Sequence, residues 1–202
     1  MDLMAVSRKV ARVGDGTLQL DVALVHYPVC NKNQEIIGSA VTNLDIHDIA
    51  RVGKTYGVNS FYIVTPIADQ QKLVGEIIDH WRHGYGAQYN PDRQEAFSII
   101  KVCSSLQELD EDFIRQGRPR PLTLATSARP GHEKAIGYDS LRQRLAAGEH
   151  CLILFGTGWG LAPEVMASVD AVLPPVGGSL AYNHLSVRSA CAIILDRLLG
   201  ER

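Results

Sequence analysis

Short runs of β-branched and apolar residues alternate along this chain with helix-length amphipathic stretches, and that alternation leaves few folds open. It is the pattern of an α/β layered domain. Leu20–Tyr27 reads as the first strand. A helix is expected from Thr42 to about Tyr56: Thr42 and Asp45 have capping-box spacing, Ile46, Ile49, Ala50 and Gly53 form an inward stripe, and Gly57 suits the stop. Phe61–Thr65 is the next strand. Leu73, Val74, Ile77, Ile78 and Trp81 give a second helix one apolar face, ended by Gly84. Phe97–Val102 reads as a strand, and Ser105 with Glu108 opens a capped helix through about Gln116. Pro121–Thr126 is a strand, a short helix spans Ser140–Ala147, and Cys151–Phe155 is a strand again. Pro163 stands at the start of a small helix, Glu164–Val169, followed by a last short strand, Ala171–Leu173. The final helix is the clearest element. Ser186 caps it, Val187, Ala190, Cys191, Ile194, Leu195 and Leu198 form one stripe, and Gly200 closes it.

No repeat, low-complexity stretch or linker divides the chain, so one domain is expected over residues 17–202, preceded by loosely held residues 1–16. Hydrophobic residues at 46% and charged residues at 21% suit an ordinary globular protein. No apolar run approaches the ~20 residues that cross a bilayer. Met1–Gly16 carries Arg8, Lys9 and Arg12 without an apolar stretch, unlike a secretory signal, so a cytoplasmic protein is expected. Cys103, Cys151 and Cys191 lie in apolar segments, and no Cys or His spacing suggests a metal or a disulfide framework. Cys30, in a loop-like stretch, reads as an ordinary exposed cysteine or a reactive thiol.

A net charge of −2 argues against coating nucleic acid through bulk charge. Arg115, Arg118, Arg120 and Arg129, around a Pro-rich stretch, read either as a solvated loop or as phosphate contacts.

Three strand ends carry unusual loops. Phe155-Gly-Thr-Gly-Trp-Gly-Leu161 follows a strand and precedes a helix, where glycines let backbone N–H groups approach a ligand. A dinucleotide site is one reading, a plain tight turn another. Against the former, the loop comes late in the chain, and the following strand ends in Leu173-Pro-Pro175 without an acid for the ribose. Leu173–Leu185 is a long Pro- and Gly-containing loop leading into the final helix, and Ala125–Gly131 follows another strand. Three backbone loops at three strand ends would make a mainly apolar cradle for a neutral heterocycle.

These segments resemble the signatures of the SPOUT superfamily of trefoil-knotted RNA methyltransferases. Phe155–Leu161 looks like its second signature, and Leu173-Pro-Pro-Val-Gly-Gly through Asn183–Ile194 looks like its third. Asn43–Arg51 with Gly57 resembles the first signature of the ribose-methylating branch, and the likeness extends over Val22 to Leu199. It implies a parallel sheet flanked by helices with a C-terminal trefoil knot, a rarity among folds. It also implies a homodimer, an RNA substrate (tRNA or rRNA), and bent S-adenosylmethionine held by the three loops. The residues implied for the cofactor are Thr126, Ser127, Phe155, Gly156, Thr157, Gly158, Gly160, Leu173, Pro175, Val176, His184 and Leu185. Gly158 stands where the family usually has Glu, Tyr182-Asn-His where Ser-Leu-Asn is common, and Arg188 replaces a small residue. The acceptor, a ribose 2′-oxygen or a base nitrogen, therefore stays open.

Methyl transfer requires positioning of donor and acceptor and removal of the acceptor's proton. Asn43, His47 and Arg51 recur at i, i+4 and i+8 on one helix face, with Arg51 the candidate for an RNA phosphate or for an exposed pair with Asp48. His26, at the end of the first strand, is a candidate general base or a packed histidine. Asn183, His184 and Arg188 flank the final loop as candidates for contact with acceptor or cofactor. His80 and His83 read as solvated, and His132 and His150 carry no signal. The alternatives are a knotted RNA-binding or assembly factor without catalysis and a nucleotide-binding oxidoreductase.

Overall fold

The structure, a computed structural model, describes residues 12–13, 16–178 and 182–201. Most of the expected tail, residues 1–16, lies outside them. The small strands β1 (Arg12–Val13) and β2 (Gly16–Thr17) pair antiparallel. β3 (Leu20–Val25) is followed by a second hairpin, β4 (Val29–Cys30) with β5 (Ile36–Ile37). The chain continues through α1 (Asn43–Thr55), β6 (Phe61–Val64), α2 (Ala68–Arg82), α3 (Tyr85–Tyr89), α4 (Pro91–Phe97) and β7 (Ile100–Cys103). Then come α5 (Leu106–Arg115), β8 (Leu122–Thr126), α6 (Tyr138–Ala146) and β9 (Cys151–Gly156). α7 (Pro163–Ser168), β10 (Ala171–Leu173) and α8 (Val187–Leu199) complete it.

The helix starts are set by their caps. The Thr42 hydroxyl accepts from the Asp45 N–H at 3.2 Å and donates to the Asp45 carboxylate at 2.6 Å. Ser105 accepts from the Glu108 N–H at 3.1 Å, and Ser186 caps α8. Cap hydrogen bonds of this kind contribute roughly 1 kcal/mol each. Gly57, at φ +76°, ends α1 in the left-handed region that glycine tolerates.

Two expectations need correcting. Phe97 does not begin a strand but closes α4, and β7 begins at Ile100. Asn90 accepts from the Arg93 N–H at 3.0 Å and Pro91 follows at the first helical position, so this pair starts a helix that absorbs Phe97. Leu73 is also not on the buried face of α2. It remains exposed, whereas Val74 is fully buried and Ile77, Ile78 and Trp81 pack on the core.

Six strands form a sheet in the order β7-β6-β3-β9-β8-β10, and every pairing is parallel. After β7 the chain places β8 one strand-width beyond β3, then fills that gap with β9. β10 adds outside β8, and α8 returns to pack against α1 and α6. Alternate strand residues enter two cores. Leu20, Val22 and Leu24 join residues of α1, α6 and α8 on one face, and Ala23 and Val25 join those of α5 and α7 on the other. Strands buried on both faces read as continuous apolar runs, as β3 and β9 do.

Asp21 breaks that run and is completely buried. Its carboxylate accepts from Arg118 at 2.6 Å and lies 2.8 Å from His150 Nε2, while His150 Nδ1 donates to the Pro119 carbonyl at 3.0 Å. The cluster ties the Pro-rich stretch to the sheet. Arg118 is therefore engaged with a buried carboxylate rather than presented for phosphate. Arg115 pairs with Asp112 and Arg120 with Asp170. No described helix is long and apolar enough to cross a membrane.

Candidate cofactor cavity

In a parallel sheet all strands end on one edge, and ligands of open α/β sheets bind outside the carboxyl ends where the order reverses. Here β3 sits at that reversal, between β6 and β9. The loops leaving β8, β9 and β10 enclose a cavity of about 740 Å³ beside the start of α8. Thr126 and Ser127 line it after β8, Gly158, Trp159 and Gly160 after β9, and Pro174 and Val176 after β10. Asn183, His184, Leu185, Ala190 and Ile194 close it from the final loop and α8. Leu161, Pro163 and Met166 line the side nearest α7.

The glycine loop is shaped by its anchors. Gly156 ends β9 so close to the returning chain that an added Cβ would meet the Leu161 nitrogen at 2.7 Å. Gly158 has φ +60°, and a Cβ there would meet the Cys30 carbonyl oxygen at 2.9 Å. That carbonyl accepts from the Trp159 N–H at 2.9 Å, and the Cys30 N–H donates to the Gly160 carbonyl at 2.9 Å. The loop is thus hooked onto β4 by a two-way backbone ladder. Cys30 is buried beneath it, lining the cavity, which corrects the expectation of an exposed loop thiol. At Gly160, φ +108°, an added Cβ meets nothing within 4 Å.

A hydroxyl chain supports the loop from behind. The Thr157 hydroxyl donates to the Val25 carbonyl at 3.0 Å, so its one proton is committed there. The Ser39 hydroxyl lies 2.5 Å from the Thr157 hydroxyl and 2.9 Å from His26 Nδ1, with the His26 carbonyl at 3.4 Å as a further acceptor. Nε2 of His26 is buried and without a partner among the described residues. Burial holds the His26 pKa down at about 4, against a weaker opposing pull from the Asp45 carboxylate. His26 is 1% exposed and does not line the cavity.

Of the residues expected to touch a cofactor, Thr126, Ser127, Gly158, Gly160, Val176, His184 and Leu185 line the cavity. Phe155 and Leu173 are core residues, and Gly156, Thr157 and Pro175 do not line it. Asn183 does, and its Nδ2 donates to the Ala128 carbonyl at 3.1 Å, joining the final loop to the loop after β8.

Asn43 and Arg51 are exposed on α1 outside these walls. Between them His47 packs against Trp81 and Phe97, with ring centroids 5.4 and 4.7 Å away. Arg188 reaches Asp45 at 3.1 Å and Asp48 at 3.3 Å. Asp48 is therefore engaged elsewhere, and no ion pair reaches Arg51 among the described residues.

Sequence reasoning passed over His132, whose Nε2 lies 3.1 Å from the Ser127 hydroxyl in the cavity wall. It also gave no role to Trp159. The signal for Trp159 was a large aromatic between glycines in a turn that packing alone does not require.

The cradle suits the adenosyl group of S-adenosylmethionine. Its volume falls within the ~300–1,000 Å³ of small-molecule sites. Its described lining holds no carboxylate and no lysine, with Arg129 as the cation and His132 and His184 as the imidazoles. Glycines present bare backbone where a side chain would intrude. Among the described residues no Cys, His, Asp and Glu cluster could hold a metal.

Comparison with known proteins agrees. The sequence model of a family described as SAM-dependent RNA methyltransferase matches residues 19–200. A protein of Oleidesulfovibrio alaskensis called tRNA (guanine-N(1)-)-methyltransferase is 42% identical over 98% of this chain, which spans 46% of that protein. The chain thus covers about half the length of such a relative. A protein of Aquifex aeolicus called uncharacterized is 39% identical, over 89% of this chain and 88% of its own length. Among solved structures, the SpoU methyltransferase AviRb from Streptomyces viridochromogenes, in complex with AdoMet, superposes with a TM-score of 0.58. It is 15% identical, with 93% of this chain and 59% of that one covered, a likeness that shows the fold.

Proposed function

The chain belongs to the SAM-dependent RNA methyltransferase family, and on that premise we propose that it methylates a tRNA or rRNA nucleotide at the cavity described above. One observation carries the placement: a cradle with bare glycine backbone and no carboxylate in its described lining, at the carboxyl ends of β8, β9 and β10, on the sheet edge where α/β folds bind their ligands. We assign cofactor contact to Thr126, Ser127, Gly158, Gly160, Val176, His184 and Leu185, with Phe155, Gly156, Thr157, Leu173 and Pro175 shaping the walls from behind. When bound, S-adenosylmethionine supplies an electrophilic methyl group on a sulfonium. The acceptor atom gives up a proton as it takes the methyl, and the imidazoles of His132 and His184 are the bases within the described lining that can receive it.

His26 is better suited to positioning than to proton transfer. A sealed, neutral imidazole holds Ser39, Ser39 holds Thr157, and Thr157 fixes the turn of the glycine loop. Asn183 fastens the final loop against Ala128 and so sets the width of the opening. Arg51, exposed and without an ion pair among the described residues, is the residue we assign to an RNA phosphate, with Asn43 two turns earlier on α1 as a second contact.

We further propose a trefoil-knotted C-terminal segment, a homodimer and a cytoplasmic location. The strand order and the return of α8 against α1 support the knot. The dimer rests on the family likeness, and light scattering on the purified protein reads it directly.

The test of the activity is incubation of the protein with labelled S-adenosylmethionine and RNA from a strain lacking its gene. Label in tRNA or rRNA, with the modified nucleotide mapped, is expected. S-adenosylhomocysteine binding without transfer to either RNA would overturn the catalytic reading and leave a knotted RNA-binding factor.

A further inference from the structure

Trp159 is a large aromatic side chain in the cavity wall, yet it is 61% exposed. Most of the indole surface is therefore open to contact where the cavity meets solvent. The Trp159 backbone is held with little freedom. The Trp159 N–H donates to Cys30, the Gly160 N–H donates to Thr157 at 3.0 Å, and the flanking glycines sit at φ +60° and +108°. A large aromatic side chain on a backbone held this firmly offers a stacking surface at a defined place. The charge of its surroundings fits a polyanion. Arg129 is exposed in the same lining with no ion pair among the described residues, and no described lining residue is a carboxylate.

We propose that Trp159 stacks on an unpaired base of the RNA, holding the methyl-accepting nucleotide over the cavity, while Arg129 takes an adjoining phosphate. Unstacked bases are recognised on aromatic faces with little sequence preference, so Trp159 fixes position and the edge contacts of other residues choose the base. The inference rests on the cavity being the methyl-transfer site. It makes Trp159 a substrate-positioning residue, separate from the cofactor contacts.

The chain has two tryptophans, which makes the experiment direct. Trp81 is packed against Phe97 with the Arg93 guanidinium 4.4 Å over its ring, so its emission serves as a constant background. Bulk tRNA added to the protein saturated with S-adenosylhomocysteine is expected to quench the emission, and Trp159→Phe is expected to abolish the quench. Trp159→Ala is expected to raise KM for RNA about 5- to 100-fold with the dissociation constant for S-adenosylhomocysteine unchanged, and Trp159→Phe to restore most of the loss. Three results overturn the proposal. One is quenching by S-adenosylhomocysteine alone together with weaker binding of it to Trp159→Ala, which puts the indole on the cofactor. Another is rescue by Trp159→Leu equal to that by Trp159→Phe, which reduces the ring to bulk. The last is tRNA binding by filter assay without quenching, or no tRNA binding at all. Failure of methyl transfer with quenching intact would count against the catalytic reading and leave the stacking standing.

Discussion

Replacing His26 by Asn tests the support beneath the glycine loop through its dependence on pH. The imidazole is sealed, and burial holds its pKa at about 4. In the unfolded chain the ring titrates near ~6.5. A group whose pKa is lower folded than unfolded releases its proton on folding. Its stability is therefore whole above about pH 6.5 and is lost as pH falls through 6.5 toward 4. At pH 5 the unfolded ring is charged and the folded ring is not, which amounts to about 2 kcal/mol of stability lost relative to pH 8. Asn Nδ2 can stand in for Nδ1 beside Ser39 without titrating. The pH-dependent loss should therefore be absent from the variant, although it starts less stable through lost packing. His47, whose pKa burial also lowers, contributes in the same direction in both proteins and cancels. Urea denaturation across this range should show the stability of the wild type, minus that of the variant, falling by about 2 kcal/mol from pH 8 to pH 5. A pH-independent difference would refute the sealed neutral ring.

Gly158→Ala should cost roughly 1–2 kcal/mol in backbone strain at φ +60°, plus the contact with the Cys30 carbonyl, and should lower both Tm and S-adenosylhomocysteine affinity in calorimetry. Asp21→Ala strands the Arg118 guanidinium and should cost about 3–5 kcal/mol in denaturation, part of which Asp21→Ala with Arg118→Met recovers. Asn183→Ala removes one hydrogen bond across the opening and should weaken S-adenosylhomocysteine about five-fold, read by titration, with little change in Tm.

Elements whose signals were local were legible in the residue order. Thr42, Ser105 and Ser186 each cap the helix expected of them, and the stripe from Cys191 to Leu198 is buried as its spacing requires. The Asn90-Pro91 start of α4 was equally local, but the apolar run at Phe97 obscured it. Partnerships between distant residues were not legible. Asp21 meets Arg118 and His150 from far along the chain, so an arginine that reads as a solvent-exposed cation is tied to a buried carboxylate. Arg188 takes Asp48, which helical spacing had offered to Arg51. The three loops of the cradle were identifiable because glycine and proline mark them wherever they fold. The rim was less so, since Trp159 and His132 carry no spacing that distinguishes them from ordinary loop residues.

The interleaved strand order also sets the order in which the domain can be completed. β6 and β7 join β3 from nearby sequence, but Leu20 waits for Cys151, more than a hundred residues later, before its other edge is covered. Until then a nascent chain carries an unpaired apolar edge in the middle of its future sheet, the kind of exposed strand that invites aggregation. Ala190 and Ile194 of α8, which follows every strand of the sheet in the chain, form part of the cavity wall. On the proposed assignment the cofactor has no finished site until the ribosome has delivered α8, and a cofactor that binds only the completed fold would act as a thermodynamic latch on newly synthesised molecules.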